Sequence, residues 1–175
     1  YNSDGWQDIL VDDHYHGNFL YHNNGDNTFT EVASQLNIRD VNSTYNIGGD
    51  YFGTSWGDYN NDGFIDIFVS GHWSIQKLYQ NQNCLNNYII INLEGVTTNR
   101  SAIGVNIKVT SGNLIQNYQV IAGDGMNDFN SLPVEIGLGN NDMVDEVEVS
   151  WINGYVQTIE NVDANQIITI IEGVD

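Results

Sequence analysis

The chain contains two copies of one acidic loop, and their regular spacing restricts the fold more than any other feature of the sequence. The complete copy reads D-Y-N-N-D-G-F-I-D over residues 58–66, and the other reads N-S-D-G-W-Q-D over residues 2–8. The glycines of the two loops, Gly5 and Gly63, define an offset of 58 residues that also aligns the apolar segments and the L-Y-x-N turns that follow. A fixed period of this kind is the signature of a repeat architecture. We therefore expect two structural repeats in this part of the chain.

The complete loop carries oxygen-bearing side chains at alternate positions, which is the arrangement that a Ca²⁺ loop requires. Ca²⁺ takes six to eight oxygen ligands at about 2.3–2.6 Å, and converging carboxylates repel each other unless a cation neutralises them. The predicted ligands are the side chains of Asp58, Asn60, Asp62 and Asp66 and the backbone carbonyl of Phe64. Asp, Asn and Gly also form ordinary turns, so a turn without an ion is the alternative interpretation.

The shortened copy predicts a second cation site with fewer ligands. The corresponding groups are Asn2, Asp4, Asp8 and the backbone carbonyl of Trp6, and Asp58 has no counterpart. Together the two loops predict one or two Ca²⁺ ions. The complete loop is not an EF-hand, because Val69 stands at its twelfth position, where an EF-hand has a bidentate Glu.

Short apolar or alternating segments, separated by turn residues, follow one another along the chain without helical periodicity. In the first half, strands are predicted at 8–13, 18–22, 28–32, 53–56, 66–70 and 76–80, with a longer polar connection over 33–52. In the second half, they are predicted at 88–93, 105–110, 114–121, 134–138, 144–151, 156–159 and 167–171, a number that suits a β-sandwich. The predicted fold is all-β, with about two propeller-like blades over residues 1–83, open or part of a larger propeller, and a β-sandwich over 84–175.

The charge of the chain excludes several classes of partner. Its formal net charge is −19, from 23 acidic and 4 basic residues, and binding to nucleic acid or anionic membranes relies on Lys and Arg. No apolar run approaches the roughly 18 residues of a membrane span, so membrane insertion is not expected. Cys84 is the single cysteine, which excludes an internal disulfide, and no His or Asn context marks it as a nucleophile. The composition is typical of an exported protein.

Residues 53–81, and in shortened form 2–38, resemble the FG-GAP/VCBS-type repeat of integrin-like β-propellers. The matching motifs are W-G-D-Y-N-N-D-G-F-I-D-I, then L-Y-x-N, and N-N-G-D-N-T-F-T-E-V in the first copy. Residues 86–172 resemble the ASPIC/UnbV domain through N-R-S-A-I-G at 99–104, G-D-G at 123–125, G-L-G at 137–139, W-x-x-G at 151–154 and N-V-x-x-N-Q at 161–166. Glu135-Ile136 and Ile152-Asn153 depart from the family pattern of His-Phe and Pro-Ser, so a role of the family histidine does not transfer. The resemblance implies Ca²⁺ in the loops and extracellular adhesion or binding, without a defined catalytic activity.

Three functions follow from these observations. The first is a calcium-binding structural or adhesion module of a larger secreted or cell-surface protein, which contacts other chains or further repeats of its own polypeptide, including as a homo-oligomer or filament. The alternative is a lectin-like carbohydrate-binding module, because the aromatic residues near the loops suit sugar stacking: Trp6, Tyr15, Trp56, Tyr59 and Trp73. The third is a non-catalytic appendage of a secreted enzyme. Catalysis by the chain itself is not expected, because the sequence contains no Ser-His-Asp order, phosphate loop or dinucleotide motif.

Several other features carry weaker expectations. His14 and His16 lie on one strand face, where they form a candidate transition-metal pair, and the Asp pairs 124/128 and 142/145 are interpreted as solvated turns. Asn42 and Asn99 begin N-glycosylation sequons. Because the sequence begins at Tyr1 without an initiator Met or signal peptide, we expect a piece of a longer polypeptide. Two repeats alone expose strand edges, so we also expect them to work inside a larger β-assembly.

Overall fold

The protein consists of β-strands and turns throughout the part of the chain that the computed structural model describes. This part comprises residues 1–13, 16–39, 51–71, 76–82, 85–123 and 129–174. Several predicted features therefore lie outside the described residues, namely those at His14, Tyr15, Asn42, His72, Trp73, Cys84, Asp124 and Asp128. No helix in the described ranges is long and apolar enough to cross a bilayer.

The repeat region forms two three-stranded antiparallel sheets. The first sheet has the order β1-β2-β3, with β1 at Ile9–Asp13, β2 at Gly17–Asn23 and β3 at Phe29–Glu31. The second has the order β4-β5-β6, with β4 at Tyr51–Gly57, β5 at Asp66–Gly71 and β6 at Lys77–Tyr79. The offset of 58 residues places β5 on β1 and β6 on β2, and the antiparallel pairs β1-β2 and β5-β6 confirm the repeat. The sheets are open rather than closed into a propeller.

The second half of the chain forms a sandwich of two sheets. The mixed sheet has the order β10-β7-β13, with β7 at Asn87–Glu94, β10 at Val134–Gly139 and β13 at Gln166–Ile171, and β13 runs parallel to β7. The antiparallel sheet has the order β12-β11-β8-β9, with β8 at Asn106–Ser111, β9 at Leu114–Gln119, β11 at Met143–Ser150 and β12 at Val156–Asp163. This architecture confirms the predicted all-β fold.

Alternating apolar residues of both sheets fill the sandwich core. Ile89 and Ile91 of β7 and Ile107 and Val109 of β8 are among its 15 buried residues. Among the described residues, the core of the repeat region is smaller, with six buried residues that include Leu20. Buried apolar area is the main stabilising contribution to folding, so the sandwich core contributes more stability than the core of the repeats. The stability of the repeats therefore depends more on the hydrogen bonds of their loops and on their contacts with the sandwich.

One strand boundary differs from its prediction for a structural reason. The predicted strand 156–159 ends before Asn161, a residue that breaks the apolar pattern. The structure places Asn161 at a φ of 58°, where Asn is tolerated better than most residues, and β12 continues to Asp163 with its register to β11 unchanged.

Candidate calcium sites and their contacts with the sandwich

The complete loop joins β4 to β5 and is closed by its own backbone N–H groups. The Asp58 carboxylate accepts hydrogen bonds from the N–H of Asp62 at 3.0 Å and from the N–H of Gly63 at 2.8 Å. Asn61 and Gly63 adopt φ values of 59° and 90°, which turn the chain tightly enough for this closure. Asp58 therefore lies over the turn, at the predicted first ligand position.

Asn60 and Asp62 lie beside each other in the same loop. The Asn60 amide donates to Asp62 Oδ2 at 2.7 Å, and Asn60 Oδ1 accepts the Asp62 N–H at 3.1 Å. Asp62 Oδ1 accepts the N–H of Phe64 at 3.0 Å. The structure thus brings three of the predicted side-chain ligands, Asp58, Asn60 and Asp62, into one hydrogen-bonded group.

Asp66 closes the far side of the loop and is almost fully buried, with 2% of its surface exposed. Its carboxylate accepts the N–H of Tyr59 at 3.3 Å and the N–H of Asn81 at 2.7 Å. Burial raises the pKa of Asp66, these two hydrogen bonds lower it, and the charges of Asp62 and Asp58 raise it further, so that it lies above its ordinary value. The carboxylates of the loop therefore repel one another.

The donor set of this loop fits Ca²⁺. In the described part of the chain, no Lys, Arg or His forms an ion pair with Asp58, Asp62 or Asp66. Within the same ranges, no three Asp, Glu, His or Cys side chains form a metal-binding cluster by themselves. The site would therefore also need the Asn60 amide oxygen and the Phe64 carbonyl. Carboxylate, amide and carbonyl oxygens suit Ca²⁺ rather than a soft transition metal.

The shortened loop repeats this geometry at the level of single hydrogen bonds. The Asn2 amide donates to Asp4 Oδ2 at 2.9 Å, and Asp4 Oδ1 accepts the N–H of Trp6 at 2.9 Å. Ser3 and Gly5 adopt φ values of 56° and 92°, which match the corresponding residues of the complete loop. Two turns with the same dihedral angles and hydrogen bonds are one structural unit used twice.

The shortened loop differs in the groups that surround its closing carboxylate, Asp8. Asp8 Oδ1 accepts the N–H of Asn23 at 2.8 Å, and its Oδ2 lies 2.6 Å from the backbone nitrogen of Tyr1. His22 Nδ1 lies 3.2 Å from Asp8 Oδ1 and 3.9 Å from Asp4 Oδ2. His22 was not predicted, since the other repeat has Gln80 at this position. The shortened loop therefore differs from the complete loop by an imidazole beside two of its predicted ligands, Asp4 and Asp8.

The shortened loop packs directly against the sandwich. The carbonyl of Asn2 accepts the Asn86 amide at 2.9 Å, and the carbonyl of Ser3 accepts the N–H of Gly139 at 2.9 Å. A Cβ at Gly137 would lie 2.4 Å from the Ser3 Cα, far inside van der Waals contact. Only glycine therefore allows the loop to lie this close to β10.

The complete loop packs against the sandwich as well. The Tyr88 ring covers Gly63, where an added Cβ would lie 2.0 Å from the tyrosine Cζ. Phe64 meets the same ring edge-on, with centroids 6.0 Å apart. Both candidate cation loops therefore lie at the contact between the repeats and the sandwich.

Glu135 of β10 adds a carboxylate to this contact. Its Oε1 accepts the Ser131 hydroxyl at 2.5 Å and the N–H of Asp58 at 3.4 Å. Burial raises the pKa of Glu135, the hydrogen bonds from Ser131 and Asp58 lower it, and the Asp58 charge raises it, with a raised pKa as the result. In the sequence, Glu135 stood out only because it departs from the ASPIC/UnbV pattern. That departure did not predict a contact between Glu135 and the loop.

Comparison with known protein families assigns both halves of the chain. The FG-GAP-like repeat family matches residues 1–69, and the ASPIC and UnbV family matches residues 95–175. The chain is an FG-GAP-like repeat region followed by an ASPIC/UnbV domain. This order confirms the resemblance found in the sequence.

Two curated relatives share part of this chain. Cartilage acidic protein 1 from Xenopus tropicalis is 40% identical over 67 residues, and the Homo sapiens protein of the same name is 36% identical over 67 residues. Each alignment covers 38% of this chain and 9% of the relative. The chain thus matches only a small part of these proteins. The pairing of an FG-GAP-like repeat region with an ASPIC/UnbV domain points to an extracellular, adhesion-like module.

A buried carboxylate of the ASPIC/UnbV domain was not predicted from the sequence. Glu172 is 5% exposed and accepts hydrogen bonds from the N–H groups of Val96, Thr97 and Thr98 at 2.7, 2.8 and 2.9 Å. The Asn153 amide donates to the same carboxylate at 2.7 Å. Glu172 thereby fastens the loop after β7 to the end of β13, which is a structural rather than a ligand-binding role.

Glu172 predicts a specific dependence of stability on pH. Burial raises the pKa of Glu172, but hydrogen bonds from Thr97, Thr98 and Val96 lower it to about 2. Because the folded pKa lies below the unfolded value of about 4.3, the stabilisation is complete above that value. It is lost as the pH falls from roughly 5 through the folded pKa. We expect Glu172→Gln to be less stable at pH 7 and to lose less stability on acidification.

Denaturant unfolding at several pH values between neutrality and strong acid measures this difference. Glu160→Gln, which changes an exposed carboxylate on β12, is the matched control and should follow the parent protein. If the free energy of unfolding of Glu172→Gln and of the parent changed with pH in parallel, the lowered pKa of Glu172 would be contradicted.

The remaining candidates have structural partners or are only partly described. The His16 ring lies 2.9 Å from Asp13 Oδ1, and its predicted partner His14 lies outside the described residues. Asp145 lies within β11 and not in the predicted solvated turn, and its carboxylate accepts the N–H of Gly112 at 2.7 Å. The Asn99 amide donates to the carbonyl of Ile103 at 2.9 Å, so this sequon residue braces its own loop.

Proposed function

We propose that this chain is a calcium-stabilised, non-catalytic module of a secreted or cell-surface protein. It mediates contacts with other protein chains or with further repeats of the same polypeptide. The observation that carries the proposal is the acidic loop, whose carboxylates repel each other and have no cationic partner in the described residues. An ion held by Asp58, Asn60, Asp62, Phe64 and Asp66 would relieve this repulsion.

The position of the loops supports a role of a bound ion in the whole module. The backbone of Ser3 lies against Gly137, and Gly63 lies against Tyr88. Any opening of the loops therefore disturbs the contact between the repeats and the ASPIC/UnbV domain. We propose that bound calcium holds the two parts in one arrangement and so presents a defined surface to a partner.

The edge of β1 supports the assembly part of the proposal. Its repeat counterpart β5 pairs with β4 on one side and β6 on the other, whereas β1 pairs only with β2 among the described strands. An edge strand with one partner presents N–H and C=O groups that can pair with another strand. We propose that a strand of a further repeat, or of a second copy in a homo-oligomer or filament, occupies this edge.

Sedimentation of residues 1–175 in calcium, combined with hydrogen exchange of the β1 amides, tests the assembly proposal. We expect concentration-dependent association, or rapid exchange at β1 in the protein that stays monomeric. The net charge of −19 opposes non-specific aggregation, so association should saturate at a defined size. A strictly monomeric protein with protected β1 amides would show that this edge needs no partner.

A further inference from the structure

The outer edge of β9 lies along a cleft that the proposed function does not use. β9 pairs with β8 on one side and is the last strand of the antiparallel sheet. The cleft has a volume of about 490 Å³ and is lined by residues 116–121, by residues 5–8 of the shortened loop and by residues 130–135. An edge strand presents N–H and C=O groups that can pair with another chain, and here there is open space beside them.

The pairing of β9 with β8 determines which backbone groups point away from the sheet. Pairs of residues that exchange hydrogen bonds alternate along an antiparallel ladder with pairs that do not. The N–H of Val120 donates to the carbonyl of Val105 at 3.0 Å, and the register of the two strands is unbroken. Ile115, Asn117 and Gln119 therefore direct their N–H and C=O groups outward. None of these groups has a hydrogen-bond partner among the described residues.

The side chains of β9 alternate between the cleft and the outer face of the sheet. On the cleft side, the Gln116 amide donates to the carbonyl of Gly137 at 2.8 Å, and the Tyr118 hydroxyl donates to Gln116 Oε1 at 2.7 Å. Asn117 and Gln119 are exposed and stand on the opposite face. The polar side chains of β9 on the cleft side therefore already have partners, and the backbone edge is what this strand offers to a ligand.

β9 lacks the features by which proteins usually protect an edge strand. Such edges carry charged residues, Pro or β-bulges, or are covered by another segment. The sequence of β9 is L-I-Q-N-Y-Q, without a charge or a Pro, and its register contains no bulge. β12, the other outer strand of the same sheet, carries Glu160 and Asp163 and has Asn161 at a φ of 58°. Of these two edges, β9 is the one suited to accept a further strand.

Aromatic and apolar side chains line the cleft beside this edge. The Trp6 indole is 48% exposed and lies on the backbone of Gly25, where an added Cβ would be 2.9 Å from the ring. Trp56 and Pro133 line the same cleft. Of the aromatic residues predicted for sugar stacking, Trp6 and Trp56 are thus brought together beside β9. Alternate side chains of an added strand would find apolar surface here.

The charge of the chain determines which kind of strand this edge suits. The formal net charge is −19. The lining of the cleft includes Glu135 and the predicted calcium ligand Asp8, and its described residues include no Lys, Arg or His. An acidic segment is repelled by such a surface, whereas a basic one is attracted. The exposed indole of Trp6 also attracts a guanidinium or ammonium group that lies over its face.

We propose that the edge of β9 binds an extended segment of another protein that contains Lys or Arg. The segment joins the four-stranded sheet beside β9, its backbone pairs with Ile115, Asn117 and Gln119, and its alternate side chains enter the cleft beside Trp6. In binding of this kind, main-chain hydrogen bonds supply affinity and side-chain contacts supply specificity. The inference rests on the proposed role in protein contacts, but it concerns a different edge from that of β1 and requires neither calcium nor self-assembly.

Selection from a library of random peptides of about ten residues, the upper end of usual strand lengths, tests the proposal with the whole chain as the target. We expect the selected peptides to be rich in Lys or Arg. Replacement of these residues by Glu should weaken binding at least about tenfold, and so should N-methylation of the alternate amides that face β9. Hydrogen exchange in the complex should slow at Ile115, Asn117 and Gln119 and stay unchanged at Thr158 of β12.

Asn117→Pro tests the edge directly. Proline removes an outward N–H that donates nothing to β8, and edge strands tolerate proline at such positions. A selected peptide should bind this variant at least about tenfold more weakly. Thr158→Pro is the matched control, because the same alternation makes Thr158 an outward residue of β12, and it should bind like the parent. Gln119→Pro repeats the test if melting shows that Asn117→Pro does not fold.

Three results would overturn the proposal. The first is a selection that yields no binding peptides or only acidic ones. The second is unchanged binding by a folded Asn117→Pro or Gln119→Pro variant, or a complex in which exchange at Ile115, Asn117 and Gln119 is not slowed. The third is slow exchange of these amides in the chain alone that increases with its concentration, which would assign the edge to a second copy. Sedimentation and exchange at β1 test the assembly proposal separately, so either proposal can fail alone.

Discussion

Removal of calcium is expected to lower the free energy of unfolding of this module by several kcal/mol. An ion that binds the folded loops and not the unfolded chain contributes about 2.7 kcal/mol when its free concentration is 100 times Kd. Without the ion, Asp58, Asp62 and Asp66 repel each other around a nearly buried carboxylate. Melting temperatures in excess calcium and in excess chelator measure the effect.

Single substitutions assign this effect to one loop. Asp62→Ala should remove most of the difference between the calcium and chelator melts, because it deletes one of the proposed ligands of the complete loop. Asp4→Ala should remove less, since His22 already lies near the Asp4 and Asp8 carboxylates. Glu160→Gln lowers the negative charge equally at an exposed position of β12 and should keep the full difference.

Two results would contradict the calcium proposal. Equal melting temperatures in calcium and chelator would show that the loops are ordinary turns closed by their N–H groups. An equal loss for Glu160→Gln and Asp62→Ala would show that calcium screens the net charge without occupying the loop.

The regular part of the fold was predictable because its signals are local. Alternating segments such as Val147-Glu148-Val149 specify strands by themselves, and the structure places Val147 and Val149 in the core at 0% exposure. The offset of 58 residues likewise predicted that Asp8 and Asp66 occupy the same position, which their hydrogen bonds to Asn23 and Asn81 confirm. Periodicity and repetition require no knowledge of distant contacts.

The surroundings of the loops were not predictable in this way. His22 and Glu135 reach the loops through the pairing of β2 and the docking of β10, and no local pattern fixes either contact. Glu172 and residues 96–98 are hydrogen-bonded although they lie near opposite ends of the sandwich sequence. No local sequence pattern therefore predicted these hydrogen bonds. Gly137 shows the same limit, because its need for glycine comes from Ser3 at the other end of the chain.

Gly63→Ala is expected to destabilise the module by about 2–5 kcal/mol, through two separable causes. Gly63 has a φ of 90°, and a residue with a Cβ pays about 1–2 kcal/mol in the left-handed region. The new methyl group would also lie 2.0 Å from the Tyr88 Cζ, and overpacking of this kind typically costs about 1–3 kcal/mol. The tyrosine must therefore leave its position over the complete loop, and calcium affinity should fall with it.

The chain contains a matched control for the backbone strain. Gly154 has a φ of 89°, and nothing lies within 4 Å of the Cβ that alanine would add. Gly154→Ala should therefore show the strain alone, about 1–2 kcal/mol in denaturant unfolding. The double variant Gly63→Ala/Tyr88→Ala, measured against Tyr88→Ala, removes the clash and should leave a similar cost. If Gly63→Ala costs no more than Gly154→Ala, the ring of Tyr88 does not press on the loop. The ASPIC/UnbV domain would then not influence the proposed cation site through this contact.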